Sequence, residues 1–231
     1  MNSEAVSIFN QHWRIYRKML EHNYMLSKEF IAAIDEIFIP FYDRKIDILD
    51  LGCGDAFVLA PLLKKFSSAK YTGYDLSETA LAIASSNLHS DGIHAVLKNG
   101  AMEELIKSES NRFDFICSSF AIHHLSDEMK KQLYLDCYHR LYKGGTFIYI
   151  DVFRRFGWSR EQYLKEYFSY AKDHWLALDA EEMHLVQEHV SNYDFPANLE
   201  DAITWLTQTG FHFVGERVHD QFHHMLEFTK E

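Results

Sequence analysis

The stretch ILDLGCGDAF, residues 48–57, constrains this chain more than any other. An apolar strand runs into two glycines one residue apart, Gly52 and Gly54, in a chain that has only ten. Glycines directly after a strand let a ligand approach backbone N–H groups closely. A dinucleotide fingerprint would place a third glycine at position 57, which holds Phe57.

The segments around that turn alternate. KIDILDL (45–51), KYTGYDLS (70–77), HAVLKNG (94–100), FDFICSSF (113–120) and TFIYIDVF (146–153) read as five strands. Helices are expected between them. One carries Pro61 in its early turn, and the next is capped by Ser77 and runs to about Leu88. Another is capped by Ser126, with Met129, Leu133, Cys137 and Leu141 on one face and Gly144–Gly145 at its end. Such alternation implies a parallel sheet covered on both faces. Residues 3–39 read as helical, with Trp13, Tyr16 and Leu20 at helical spacing, until Pro40 stops the run. Residues 154–209 also read as mostly helical, with capping boxes at Ser159/Gln162 and Asp179/Glu182 and a third helix from Asn198 to Gly210. FHFVGERV and HHMLEFTK close the chain as an antiparallel pair.

Composition narrows the function. A chain of 231 residues, 47 % hydrophobic, has enough apolar mass for one large domain with a substantial core. Its net charge of −11 argues against nucleic acid or an anionic membrane as partner. No apolar run is long enough to span a bilayer, and MNSEAVSIFNQHW lacks the pattern of a secretory signal. Cys53, Cys117 and Cys137 form no CxxC pair, which suits a reducing cytoplasm.

In an open parallel sheet, ligands bind beyond the carboxyl ends of the strands. Asp75, ending the second strand, can accept two hydrogen bonds from a ribose diol. Asp50 adds negative charge at the glycine turn, which repels a pyrophosphate and attracts a sulfonium ligand with an ammonium group.

These residues resemble a known family. Asp50-Leu51-Gly52-Cys53-Gly54-Asp55 is similar to the first motif of class I S-adenosylmethionine-dependent methyltransferases, and YTGYDLSETAL, NGAMEEL, FDFICSSFAIHHL and LYKGGTFIYID match further motifs in order. The resemblance covers about residues 45–153 and extends weakly to the last two strands. It implies an α/β fold: a doubly wound, seven-stranded, mostly parallel sheet with an antiparallel last strand. It also implies S-adenosylmethionine as cofactor and S-adenosylhomocysteine as product. Backbone at Gly52, Cys53 and Gly54 would line the amino acid moiety. Asp75 would hold the ribose, and Leu76, Ala101 and Met102 would border the adenine. Ser118, Ser119 and Phe120 would lie under the methionine. Gly100 stands where many relatives carry an adenine-binding Asp, so that contact needs Asn99 or Glu103 instead. Lys143 replaces a proline common in the family's turn before the fifth strand.

One domain is expected, with an N-terminal helical cap (1–40), a cofactor-binding core (41–153), a helical substrate lid (154–209) and terminal strands (210–231). Arg154, Arg155, Tyr163, Tyr167 and Tyr193 are candidate substrate contacts in or beside the lid, while Tyr16 and Arg17 are candidates for closing over the cofactor. His123 is the first choice for removing an acceptor proton, followed by a lid tyrosine or Asp151. His124 reads as a residue that orients its loop. No HExxH occurs, and His223 and His224 face opposite ways on a strand, so no metal is expected.

The resulting expectation is methyl transfer to nitrogen or oxygen of a small-molecule acceptor by a cytoplasmic monomer or homodimer. Its rivals are a nicotinamide-dependent oxidoreductase, other chemistry on the same cofactor such as carboxymethyl-cofactor synthesis or aminopropyl transfer, and a cofactor-binding protein without catalysis.

Overall fold

The computed structural model describes residues 14–89 and 93–231. The apolar run before the glycines is β1 (Lys45–Leu51), and its side chains alternate between two cores. Ile46 and Ile48 face one, Leu49 and Leu51 the other. The remaining strands are β2 (Ser68–Asp75), β3 (Ile93–Asn99), β4 (Phe113–Ser119), β5 (Leu141–Val152), β6 (Phe211–His219) and β7 (His223–Lys230). They form one sheet in the order β3-β2-β1-β4-β5-β7-β6. β1 to β5 pair in parallel, and β7 runs antiparallel to both β5 and β6. This is the expected doubly wound sheet. The order reverses between β1 and β4, which opens a crevice at their carboxyl ends.

Helices cover both faces. α1 (14–21) and α2 (Ser27–Phe38) lie at the N-terminal end; α3 (Ala60–Leu63), α4 (Glu78–Asn87), α5 (Met102–Ser108) and α6 (Asp127–Arg140) alternate with the strands. α7 (Arg160–His174), α8 (Ala180–Tyr193) and α9 (Leu199–Thr209) follow β5. α2, α3 and α4 bury their apolar residues on one side of the sheet, while α5, α6 and α9 bury theirs on the other. A third apolar cluster joins Ile15, Met19 and Leu20 of α1 to Tyr163, Tyr167, Trp175 and Val190 of the segment after β5. The N-terminal helix and the helical segment thus share one small core.

Several expectations need correction. Among the described residues the N-terminal run holds two helices, separated by a turn in which Asn23 and Leu26 adopt positive φ; Trp13 lies outside the described residues. The helix after the glycine turn is only four residues long. α6 ends at Arg140, and Gly144 and Gly145 lie inside β5 rather than at the helix end. Met129 is exposed on α6, whereas Lys130 is buried. The Lys130 ammonium turns inward because it donates to the Phe195 carbonyl and to Asp127. Only the Asp179/Glu182 pair makes a reciprocal capping box; Ser159 caps Gln162 N–H without the return bond.

Candidate active site

The glycine turn is fixed by the strand beside it. Cys53 N–H donates to the Tyr74 carbonyl at 2.9 Å, and Gly54 N–H donates to Asp75 Oδ2 at 2.8 Å. Asp75 Oδ1 accepts from Ser77 N–H at 2.8 Å. One carboxylate therefore ties the turn after β1 to the start of α4. Gly52 has φ +69, and a Cβ there would lie 2.2 Å from the Ala121 Cβ, so no other residue fits. Gly54 is also left-handed, at φ +53.

A cavity opens over this turn. Tyr16, Gly52, Gly54, Asp75, Leu76, Gly100, Met102, Ser119 and Phe120 line it, all of them expected site residues. Glu103 lines it too, at the N-terminal end of α5, whereas Asn99 spends its amide on the carbonyls of Asp75 and Leu76. Of the two residues that could stand in for the missing aspartate, Glu103 is the one on the cavity. Ser119 Oγ is buried without a hydrogen-bond partner.

A second cavity adjoins the first and shares Tyr16, Phe120, His124 and His189 with it. Its wall is mostly apolar, with Met19, Met25, Val152, Tyr167, Trp175 and Val190 among the lining residues. Phe120 stands between the two. It holds φ +53 at the end of β4, a conformation that costs a non-glycine residue about 1–2 kcal/mol, and its N–H donates to the Ile150 carbonyl at 2.9 Å. Such strain, over-determined by its surroundings, clusters at functional sites.

The polar end of the second cavity is built by three segments: the loop after β4, the end of β5, and α8 with its C-terminal cap. Asp151, wholly buried near the end of β5, accepts the His123 backbone N–H at 3.0 Å and faces the His123 Nδ1. The opposite ring nitrogen, Nε2, lies 3.5 Å from Asp194 Oδ1, just after α8. His124 Nδ1 is 3.4 Å from the same oxygen and 3.1 Å from the Tyr193 carbonyl oxygen. His189 Nε2 is 3.9 Å away from it. Burial alone would lower the His123 pKa, but Asp151 and Asp194 outweigh it and raise the value to about 9. Burial pushes Asp194 up to about 6 against the pull of His123. Burial, and then the neighbouring His123 charge, hold His124 well below the usual histidine range.

Other expected residues fall elsewhere. Asp50 is buried, with Tyr71 Oη donating to it at 2.7 Å, and burial raises its pKa to about 7. Cys53 is buried beneath the turn, where burial raises its thiol pKa well above the ordinary value. Ser118 Oγ donates to the Leu51 carbonyl and serves the sheet. Ala101 precedes α5 and accepts from Leu105 N–H. Arg17 pairs with Asp55 at 3.3 Å, beside the glycine turn. Arg154 holds the carbonyls of Pro196 and Trp158, and Arg155 stacks on Trp158. Tyr163 is wholly buried in the third core, and its hydroxyl has no partner. Tyr193 meets the site through its backbone carbonyl. The side chains of Asp50, Ser118, Arg17 and Arg154 thus each have a partner within the protein. Asp194 and His189 escaped the sequence reading because neither lies in a motif.

Residues 48–145 match a family model described as a methyltransferase domain. The chain is 27 % identical over 167 residues to malonyl-[acyl-carrier protein] O-methyltransferase of Priestia megaterium, a match covering 71 % of this chain and 55 % of that protein. It spans about half the length of the curated relatives it matches. The structure is similar to magnesium protoporphyrin IX methyltransferase of Synechocystis PCC 6803 with bound SAH, at TM-score 0.66 and 11 % identity over 96 % of this chain and 94 % of that one. It is also similar to an S-adenosylmethionine-dependent methyltransferase of Clostridium acetobutylicum, at TM-score 0.65 and 15 % identity over 96 % and 98 %. At these identities the structural likenesses establish the fold.

Proposed function

We propose that this chain, whose residues 48–145 match a methyltransferase domain, is a class I S-adenosylmethionine-dependent methyltransferase that methylates an oxygen or nitrogen of a small, largely apolar acceptor held in the second cavity. The observation that carries this reading is the meeting of the two cavities at Tyr16, Phe120, His124 and His189. One cavity has the glycine turn and Asp75; the other has an apolar wall that ends in charged groups.

The residues of the first cavity fit the cofactor. Asp75 lies on that cavity with lone pairs left for a ribose diol. Ser119 Oγ is an unused hydrogen-bonding group on the same wall. Gly52 and Gly54 keep the turn free of side chains. Leu76 and Met102 offer apolar surface for the adenine, and Glu103 an acceptor for its amino group. When bound, the cofactor supplies an activated methyl group for in-line displacement.

The chain's own contribution is placement and exclusion of water. Tyr16 and Phe120, on both cavities, would align the acceptor with the methyl-bearing side. The core shared by α1, α7 and α8 would close over the pair and keep water out. His123, oriented by Asp151, would meet the acceptor's reacting atom together with Asp194. A malonyl carrier thioester, the substrate in the names of the curated relatives, is the second reading. Among the described residues lining the second cavity there is no Lys or Arg, and the His123 imidazole there is already flanked by Asp151 and Asp194, which disfavours a malonyl carboxylate.

The test is calorimetric titration with S-adenosylhomocysteine and, separately, NAD, followed by methyl-transfer assays on apolar alcohols, phenols and amines. Saturable S-adenosylhomocysteine binding with no NAD binding, and turnover lost in His123→Ala with that binding intact, is the expected result. Binding of NAD alone would overturn the reading.

A further inference from the structure

We propose that the polar end of the second cavity is a binding site for a divalent first-row transition cation, best matched by Zn²⁺, with His123, His124 and Asp194 as ligands and His189 beside them. One donor atom from each of the three ligands lies within 4.8 Å of the others. Neither the family match nor the structural likenesses assign a metal to these residues.

The distances carry the argument. Asp194 Oδ1 is buried and has no hydrogen-bond partner, although imidazole nitrogens of three histidines surround it. Those nitrogens lie at 3.5, 3.4 and 3.9 Å. Good hydrogen bonds would close to about 2.7–3.2 Å. Two ligands that each sit about 2.0–2.1 Å from a tetrahedral ion are roughly 3.3–3.4 Å apart, by the geometry of the tetrahedron. The His123 and His124 nitrogens thus stand from Asp194 Oδ1 at close to the separation of two ligands on one ion, with His189 farther out, and the buried oxygen is left without a hydrogen bond of good length.

The surroundings are those of a constructed site. Asp151 occupies the Nδ1 side of His123 and turns Nε2 toward Asp194, the carboxylate–histidine arrangement that orients metal ligands. Asp194 is held in place by its own backbone. Arg160 donates to the carbonyls of Val190, Ser191 and Asp194, and Phe195 N–H donates to the His123 carbonyl at 2.7 Å. The Tyr193 carbonyl, 3.1 Å from His124 Nδ1, competes for that nitrogen, and a cation bound there would displace or include it. Imidazole and carboxylate donors suit zinc, and three protein ligands leave a position open, as catalytic sites do.

The open position would face the acceptor cavity. Granted the methyl-transfer reading, coordination would lower the pKa of an acceptor hydroxyl bound there, its O–H bond breaking with the proton passing to solvent water and the electron pair staying on the oxygen that takes the methyl group. His123 would then serve as a ligand, and the cation would activate the acceptor.

The test is made on the full chain after dialysis against a chelator, without cofactor or acceptor. ZnCl₂ is titrated calorimetrically, and CoCl₂ is followed by its visible absorption. The expected result is one ion per chain, with the intense visible bands of tetrahedral Co²⁺. Asp194→Asn and Asp151→Asn are each expected to weaken binding by about 10–100-fold. Absence of saturable binding by Zn²⁺ and Co²⁺ in the wild-type chain would overturn the proposal, and so would unchanged affinity in a folded Asp194→Asn variant. The Co²⁺ spectrum needs no variant, so a misfolded mutant leaves the proposal decidable. Methyl transfer by a chelator-treated chain that binds no metal would remove the cation and keep the methyltransferase reading. Metal binding without S-adenosylhomocysteine binding would do the reverse.

Discussion

Asp151 grips His123 twice, accepting its backbone N–H at Oδ2 and facing its ring Nδ1 with Oδ1. A single buried carboxylate thereby sets both the path of the loop after β4 and the orientation of the imidazole. Asp151→Asn should keep an acceptor for the backbone but lose the charge. Turnover is expected to fall by about 10²-fold or more, with S-adenosylhomocysteine affinity unchanged and stability lowered by about 1–3 kcal/mol. Steady-state kinetics beside a thermal melt check this. Wild-type turnover in the variant would remove the dyad from the mechanism.

Gly52→Ala meets two obstacles at once. The backbone is at φ +69, and the new Cβ would lie 2.2 Å from the Ala121 Cβ. The strain of a left-handed alanine, about 1–2 kcal/mol, adds to about 1–3 kcal/mol of overpacking. The expected outcome is a lower melting temperature and loss of measurable S-adenosylhomocysteine binding by calorimetry. A variant that melts and binds as wild type would show that the turn is looser than its geometry.

Glu109 links β2 and β3. It accepts Tyr74 Oη at 2.6 Å and Lys98 Nζ at 2.8 Å. Burial opposes its ionisation, but the bonds from Lys98, Tyr74 and the Asn111 backbone win and lower its pKa to about 2, from an ordinary 4.5. A carboxylate depressed in the folded state contributes stability above its unfolded pKa and loses it as pH falls through the folded value. Comparing Glu109→Gln with wild type, the stability difference should be full near neutral pH, shrink below about pH 4.5, and approach zero near pH 2. Chemical denaturation across that range checks it. A pH-independent gap would exclude the linkage.

Arg160 donates to the carbonyls of Val190, Ser191 and Asp194 and stacks on Phe195 at 4.8 Å. Arg160→Ala should free the turn that carries Asp194 while leaving the glycine turn untouched. Activity is expected to drop by at least about tenfold, the effect of misplacing a reacting group by about 1 Å or less, with S-adenosylhomocysteine binding retained. Equal losses of activity and of cofactor binding would instead indicate general unfolding.

The cofactor side of the site was legible because its signals are local. Strand alternation, the Gly52–Gly54 spacing and the acid ending β2 each lie within a few residues, and the structure places Gly52, Gly54, Asp75, Leu76, Gly100 and Met102 on one cavity as expected. Caps at Ser77, Ser126, Asp179 and Asn198 were readable for the same reason. The errors came where packing overrides pattern. Met129 fits the apolar face of α6 by spacing, yet Lys130 takes the interior because the Phe195 carbonyl needs a donor. Tyr163, expected from aromatic density as a substrate contact, lies wholly buried in the third core, because aromatic density alone does not distinguish a pocket wall from a core.

The sequence by itself determined the alternation of strands and helices and the glycine turn after the first strand, while the doubly wound seven-stranded class was implied by its resemblance to a family. Hydrophobic period and glycine placement are short-range properties, and they dictate backbone conformation directly. Only the tertiary structure decided the chemistry of the second cavity. His123, Asp151 and the pair His189 and Asp194 come from three separate segments, and nothing in the residues beside each one names its partners. A buried charge is satisfied by whatever the fold carries to it, so its meaning is fixed when the sheet, α8 and the turn after it close on one another.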